Sequence, residues 1–468
     1  MVRHRGNLSP PFGLSNGSAR WEPGPPPMSR RGFLRLAGSV AAVAAVAGCT
    51  PPAATTPVRS GGKVQLAFQD CRCLGEQFRL QDFHAAHPNI EVFYTPEPDN
   101  YEESMLADMQ AGVAPDVFAG CCDTFPVWAQ EGYLLDLRPF VESDLERATI
   151  DDWDKAQYRS FFTSEGVQFG LPKYHGALAL FYNKDVFDRL KLGYPTAEWT
   201  HEDYQLAMQR IRDAAVAAGQ TDLWGSMFDV SWERIQVHVN SWNGHFVDPQ
   251  NPSRSWMANP EALTAMEWLR SRMWDDRVMA SRLDVGNRST RDAFIHGNLA
   301  MVEEGSWALR DILEQADFRI GVAPFPAGPS RRVTLATTDG FAIFSGTRQP
   351  EAAWELVKFL VGRDYGRAMA EAQLLQPARA SLVDDWVNTV RQQYPVKARD
   401  LDLAVFAAGH IEGYSVTAEV FANMSAAREL ARGAWEQIYT LGQEGIDIIK
   451  TTSAQIEDAQ PGQHEIQG

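Results

Sequence analysis

No apolar run in the 468 residues reaches the ~20 that a bilayer-spanning helix needs, so no segment is expected to sit stably across a membrane. Basic charge is also short. Against 60 Asp+Glu stand 43 Lys+Arg, a formal −17, which argues against the cationic patches that neutralise nucleic-acid phosphates. There is no G-x-x-x-x-G-K-[ST] loop to cradle a nucleotide, and no internal repeat that would signal a solenoid. What is present is a globular composition, 44% apolar and 11% aromatic, on a chain too long for one ordinary core. Two lobes are therefore the expectation.

The N-terminus carries targeting information. Ser29-Arg30-Arg31-Gly32-Phe33-Leu34-Arg35 precedes a short apolar run from Leu36 to Ala47. Paired arginines, an aromatic and a leucine before such a run make a twin-arginine export signal. The run ends in Val46-Ala47-Gly48-Cys49, which resembles the bacterial lipobox, where the Cys thiol is acylated and becomes the first mature residue. The alternative is an ordinary cleaved signal with an incidental Cys. Residues 1–27 add nothing to either signal, so the start is Met1 with a long leader, or Met28. Removing 1–48 discards six basic residues and one acidic one, leaving a still more acidic body. Residues 49–62, with Pro-rich and Gly-Ser pieces, read as a flexible tether to the membrane surface. The chain is expected to be exported and held by lipid at the outer face of the cytoplasmic membrane, as a monomer.

Folding begins where Val64, Leu66 and Phe68 alternate with polar residues, a first strand. A helical stretch ends at His87-Pro88-Asn89, and Ile90–Tyr94 is a second strand. Tyr101–Ala111 is helical, and Asp116–Ala119 is a third strand. Strand, helix, strand, helix, strand implies a parallel sheet with helices on its faces. The stretch 351–361 places Trp354, Val357, Leu360 and Val361 at helical spacing, and Leu430, Trp435, Ile438 and Leu441 suggest a closing helix.

Met105–Phe118, Trp128–Leu137, Leu171-Pro172 with Leu180–Asp185, and Pro195-Thr196 with Trp199-Thr200 occur in that order. Phe294–Val302, Gly305-Ser306-Trp307, Thr338–Ile343 and Glu351–Leu360 follow. Together they resemble the extracellular sugar-binding proteins of ABC importers, the maltose-binding-protein superfamily. The resemblance implies an α/β, two-lobed periplasmic-binding-protein-like fold of type II, with discontinuous lobes joined by hinge crossings. The first lobe is placed at 63–173 plus 338–382 and the second at 174–337 plus 383–468.

Ligands of open parallel sheets sit beyond the carboxyl ends of strands where the order reverses. In a 2-1-3 order, Asp70 and Asp123 both lie at such ends, and their carboxylates suit vicinal hydroxyls. The alternative is that each simply caps the next helix. The resemblance places a sugar-binding carboxylate at Asp123 and a stacking ring at Trp307. Trp232 and Trp242 lie in a Trp-rich segment where the second lobe would meet ligand, against a bland reading as core residues. Tyr174 and His175 stand at the first crossing, with His175 read as a hinge hydrogen-bonding group rather than a metal ligand. Asp339 and Gly340 stand at the second, where Gly would let backbone approach the ligand. Glu304, beside Glu303, is a rim acceptor candidate. Cys71, Cys73, Cys121 and Cys122 fall at the same strand ends, where a disulfide, a metal site or free thiols are open readings.

The expected function is a binding protein that closes on a carbohydrate and delivers it to an ABC permease, with no cofactor and no catalysis. A polyamine or peptide binder of the same fold is the nearest alternative, and a glycoside hydrolase with paired carboxylates the more distant one.

Overall fold

Twelve strands among the described residues build a five-stranded sheet, a three-stranded sheet and two two-stranded pairs, Val247–Asp248 with Asn251–Ser255 and Thr334–Leu335 with Ser415–Val416. The computed structural model describes residues 62–70, 79–98, 100–121 and 124–461. The export signal, Cys49, Cys71, Cys73, Cys122 and Asp123 lie outside these residues. Among the described residues no helix is long and apolar enough to cross a membrane.

The first strands are β1 Val64–Asp70, β2 Ile90–Pro96, β3 Val117–Gly120 and β4 Leu171–Pro172. Next come β5 Leu178–Asn183, the hairpin β6 Val247–Asp248 and β7 Asn251–Ser255, then β8 Met301–Gly305 and β9 Ile320–Pro324. The last are β10 Thr334–Leu335, β11 Gly340–Ile343 and β12 Ser415–Val416.

The first sheet has the order β2-β1-β3-β11-β4. β1 pairs parallel with both β2 and β3, with helices Leu80–Ala86 and Tyr101–Ala111 as crossovers, as the alternating pattern anticipates. β11 returns from far along the chain to lie antiparallel on β3, and β4 pairs antiparallel with β11. Helix Pro350–Leu360 buries Trp354, Val357 and Leu360, with Val361 just beyond it, in a core that also holds Leu66, Phe68 and Phe341.

The second sheet, β8-β5-β9, is antiparallel throughout. Every residue of β5 is buried, because helices cover both faces and an unbroken Leu-Ala-Leu-Phe-Tyr run can face apolar neighbours either way. Helix His201–Ala217 covers one side. Its start is held by a capping box in which Thr200 accepts from the Asp203 amide while the Asp203 carboxylate accepts from the Thr200 amide at 2.9 Å. The closing helix differs from the sequence reading. It runs Met424–Trp435 and passes into a π turn at Glu436–Thr440. The turn shifts the phase, so Ile438 stays buried while Leu441 emerges at the surface.

Three segments connect the two sheets, and backbone bonds lash them together. The Lys173 amide donates to Asp339 O at 3.0 Å, the His175 amide to Gln376 O at 2.9 Å and the Thr337 amide to Gly176 O at 3.0 Å. Buried Gln157 adds a clasp, its amide nitrogen donating to Tyr174 O at 2.8 Å and Thr337 O at 2.7 Å. Gly176 is required here: a Cβ would fall 2.3 Å from the Thr337 hydroxyl.

Candidate functional site

The carboxyl end of β3, Glu97 just past β2, and the three crossings border a groove whose other wall comes from the elements around the second sheet. One chamber of about 460 Å³ is lined by Glu102 on the first-lobe side and by Asp229, Ser231, Glu233 and Arg234 on the other. An adjoining chamber of about 380 Å³ takes in Glu97, Tyr101, Lys173, Arg310 and Asp311. Cys121, Tyr174, Trp307 and Asp339 border both. This is the location the strand-end rule anticipates.

Trp307 is the residue around which the groove is arranged. It sits in a 3₁₀ turn, Ser306–Ala308, directly after β8. Its indole lies against the backbone of Gly305, where a Cβ would fall 2.2 Å from a ring carbon, so only glycine lets the ring lie down there. The Arg234 guanidinium lies 5.3 Å from the ring centroid and fixes that position by a cation–π contact. Arg234 is itself buried, donating to Glu304 Oε1 at 2.9 Å and Glu303 O at 2.8 Å. Glu304 also accepts from the Thr290 hydroxyl at 3.1 Å. The sequence reading of Glu304 as an exposed rim acceptor is thereby corrected: it is 3% exposed and supports Arg234.

Beneath Glu303 runs a second buried chain. His201 Nδ1 lies 3.0 Å from Ala327 O, His201 Nε2 3.0 Å from His238 Nδ1, and His238 Nε2 2.9 Å from Glu303 Oε2. A carbonyl oxygen only accepts, so His201 donates through Nδ1 and receives the His238 Nδ1 hydrogen at Nε2. The chain closes on the contact between His238 and Glu303. Burial is the main influence on His201, with His238 adding to it, and its pKa is lowered to about 3.

The first-lobe side is organised differently. Asp70 is 1% exposed and its Oδ1 receives a hydrogen bond from Lys173 Nζ, a buried ion pair spanning the end of β1 and the first crossing. Burial works against the Lys173 ammonium most strongly, but Asp70, Glu97 and Asp339 outweigh it and hold its pKa above the usual value. Asp70 therefore does not present a free carboxylate to the groove. Asp339 does line it, and burial pushes its carboxyl above the usual range against the opposing pull of Thr337, Lys173 and Tyr174.

Other nominated residues lie elsewhere. Trp232 is core: it packs edge-on against Phe246 with ring centroids 5.0 Å apart, and its indole nitrogen donates to Glu419 O at 3.0 Å. Trp242 packs on His201 and Trp268, in the same core. Gly340 is glycine because a Cβ would fall 2.3 Å from the Phe161 ring and 2.7 Å from Leu171 O, a packing need rather than an approach to ligand. The His175 ring is fully buried beside His410, away from both chambers, and its ring nitrogens make no hydrogen bond among the described residues. Of the sequence-nominated set, the structure brings Tyr174, Trp307 and Asp339 together at the groove. Sequence reasoning missed Arg234, Asp229, Glu233, Arg310 and Asp311. Arg234 lies two residues after nominated Trp232, and its partner Glu304 was nominated too, but no local pattern links them.

Comparison with known proteins points one way. A family profile described as bacterial extracellular solute-binding protein matches residues 74–367. Among curated proteins, the maltodextrin-binding protein MdxE of Bacillus subtilis is 24% identical over 348 residues, 70% of this chain and 76% of that one. Among solved structures, an ABC substrate-binding protein of Listeria monocytogenes in complex with cycloalternan superposes with TM-score 0.72 at 22% identity, covering 85% of this chain and 98% of that one. A sugar transporter protein of Rhizobium etli in an open conformation superposes with TM-score 0.68 at 17% identity, over 85% and 99% of the two chains. These structural likenesses show the two-lobed fold.

Proposed function

The chain belongs to the bacterial extracellular solute-binding proteins, and on that premise we propose that it binds a neutral carbohydrate between its lobes and delivers it to an ABC permease. The observation that carries this is the groove itself. A tryptophan pinned by Arg234 and Gly305 faces a wall of mixed charge, with Tyr174 and Asp339 at the hinge. Sugar faces are apolar C–H surfaces that stack on aromatic rings, while hydroxyls pair with charged and polar groups of either sign.

A polyamine is the competing reading of the same groove. Glu97, Glu102, Asp229, Glu233, Asp311 and Asp339 line the groove together with Lys173, Arg234, Arg291 and Arg310, of which Lys173 and Arg234 are already paired with Asp70 and Glu304. Likenesses to maltodextrin-binding and cycloalternan-bound proteins add weight to an oligosaccharide. Trp307, Tyr174 and Asp339 are the proposed ligand contacts, with lobe closure a hinge motion at the three crossings. In the same reading, Cys49 is the acylated residue and the protein works as a monomer at the outer face of the membrane. Asp123 is a further proposed ligand carboxylate.

A thermal-shift screen over mono- and oligosaccharides, polyamines and peptides tests the assignment, since a ligand raises apparent stability by RT ln(1 + [L]/Kd). Stabilisation by a sugar, with the sugar recovered intact, is the expected result. Stabilisation by polyamines alone, or release of hydrolysis products, would overturn it.

A further inference from the structure

Behind the groove, on the far side of the first crossing, three potential ligands converge. Asp154, His175 and His410 each offer an atom, and these atoms all lie within 4.8 Å of one another. Asp154 precedes helix Lys155–Ser160, His175 lies on the first crossing, and His410 belongs to helix Val405–Glu412, which packs beside Phe181 of β5. The two imidazole centroids are 5.6 Å apart.

What separates this cluster from an ordinary buried network is the state of His175. It is fully buried, and neither ring nitrogen has a hydrogen-bond partner among the described residues. Leaving a buried polar group unpaired is costly, so such a group signals a missing partner. Asp154 has one oxygen committed, Oδ1 accepting from the Gln157 amide at 2.7 Å, which orients its carboxylate. His410 is only partly buried and opens a path to solvent.

We propose that Asp154, His175 and His410 bind a divalent transition-metal ion of the Zn²⁺ class at the back of the hinge. Two imidazoles and a carboxylate are the donors such ions prefer, and a water completes four-coordination. The donor set discriminates by chemistry: Ca²⁺ takes 6–8 oxygen ligands and Mg²⁺ an octahedral oxygen shell, and this site offers neither. With Zn–N bonds of about 2.0–2.1 Å, tetrahedral ligand atoms sit about 3.4 Å apart, so binding draws the three side chains inward by no more than about 1.5 Å. Rotation of the half-buried His410 ring supplies most of that movement. Burial lowers His175 to about 4, and it lowers His410 as well, so both rings carry a free lone pair at neutral pH. Because the ligands come from a segment beside the first lobe, from a crossing and from the second lobe, a bound ion would join the parts that hinge closure moves.

The test uses tag-free, chelator-stripped full chain. Zn²⁺ titrated in a thermal-shift assay should raise the midpoint and saturate at one ion per chain, and Mg²⁺ and Ca²⁺ should not. Co²⁺ should give weak visible d–d absorption with no near-ultraviolet thiolate charge transfer. His410→Ala sits at the solvent edge and should retain the fold while weakening Zn²⁺ binding at least tenfold; Asp154→Asn reads the same loss from the opposite side. The proposal fails if Zn²⁺ gives no shift, if both variants bind it as the parent does, or if a thiolate–cobalt band shows the ion on the cysteines instead.

Discussion

The two walls of the groove use acidic residues in the same way and differ in what they set in front of them. On the first-lobe side, Asp70 is consumed by Lys173, which borders the groove but carries no aromatic into it. On the second-lobe side, Glu304 is consumed by Arg234, but that arginine in turn carries Trp307 into the groove. Carboxylates that a sequence reader assigns to ligand hydroxyls thus act as supports in both walls. The difference teaches that an ion pair can end in itself or can hold a recognition group, and that only the second kind should affect ligand directly.

The largest effect that would break this contrast is Asp70→Asn. It leaves a buried ammonium without its counter-charge, and removing one partner of a buried pair costs about 3–5 kcal/mol. Denaturant unfolding should show that loss. Asp70→Asn with Lys173→Met should recover a large part of it, because the uncompensated charge is gone. A stable single variant with unchanged midpoint would mean the pair is not what holds β1 to the first crossing.

Trp307→Ala comes next. Deleting a buried aromatic anchor commonly costs 2 kcal/mol or more of binding, about 30-fold in Kd. Calorimetry with the sugar found in the screen should show that loss with a much smaller change in unfolding midpoint than Asp70→Asn produces. Unchanged affinity would remove Trp307 from the ligand contacts. Gly305→Ala sharpens the point with a smaller effect: the added methyl displaces the indole and should weaken binding by about 1–2 kcal/mol through overpacking, with Arg234 untouched.

How much of this was legible in the chain follows from the range of each interaction. The strand–helix alternation from β1 to β3 and the apolar face of helix Pro350–Leu360 come from patterns a few residues long, and the structure has both. Trp307 was legible through its Gly-Ser-Trp motif, and the glycine has a steric reason. Arg234, the His201–His238–Glu303 chain and the Asp154–His175–His410 cluster were not legible, because each depends on side chains brought together from distant segments. Gly340 was misread for a related reason. A glycine at a crossing looks the same in sequence whether ligand or Phe161 fills the space beside it.

The smallest effect concerns the support under each wall. The first-lobe support is an ion pair, whereas the second-lobe support includes His201, held uncharged by burial. The sign follows from linkage. His201 has a folded pKa near 3, below its unfolded value of about 6.5, so below pH 6.5 the unfolded chain binds the extra proton and stability falls as pH falls. Between pH 6.5 and 5.5 that amounts to about 1 kcal/mol, growing toward 1.4 kcal/mol per further unit until pH nears 3. His201→Gln removes one titrating ring and should reduce the slope in that window by that one-proton contribution, leaving the part that buried His175 and His410 supply, whatever its cost in packing. If His201→Gln keeps the parent slope, the histidine chain is charged in the folded protein, and the second wall rests, like the first, on ion pairs alone.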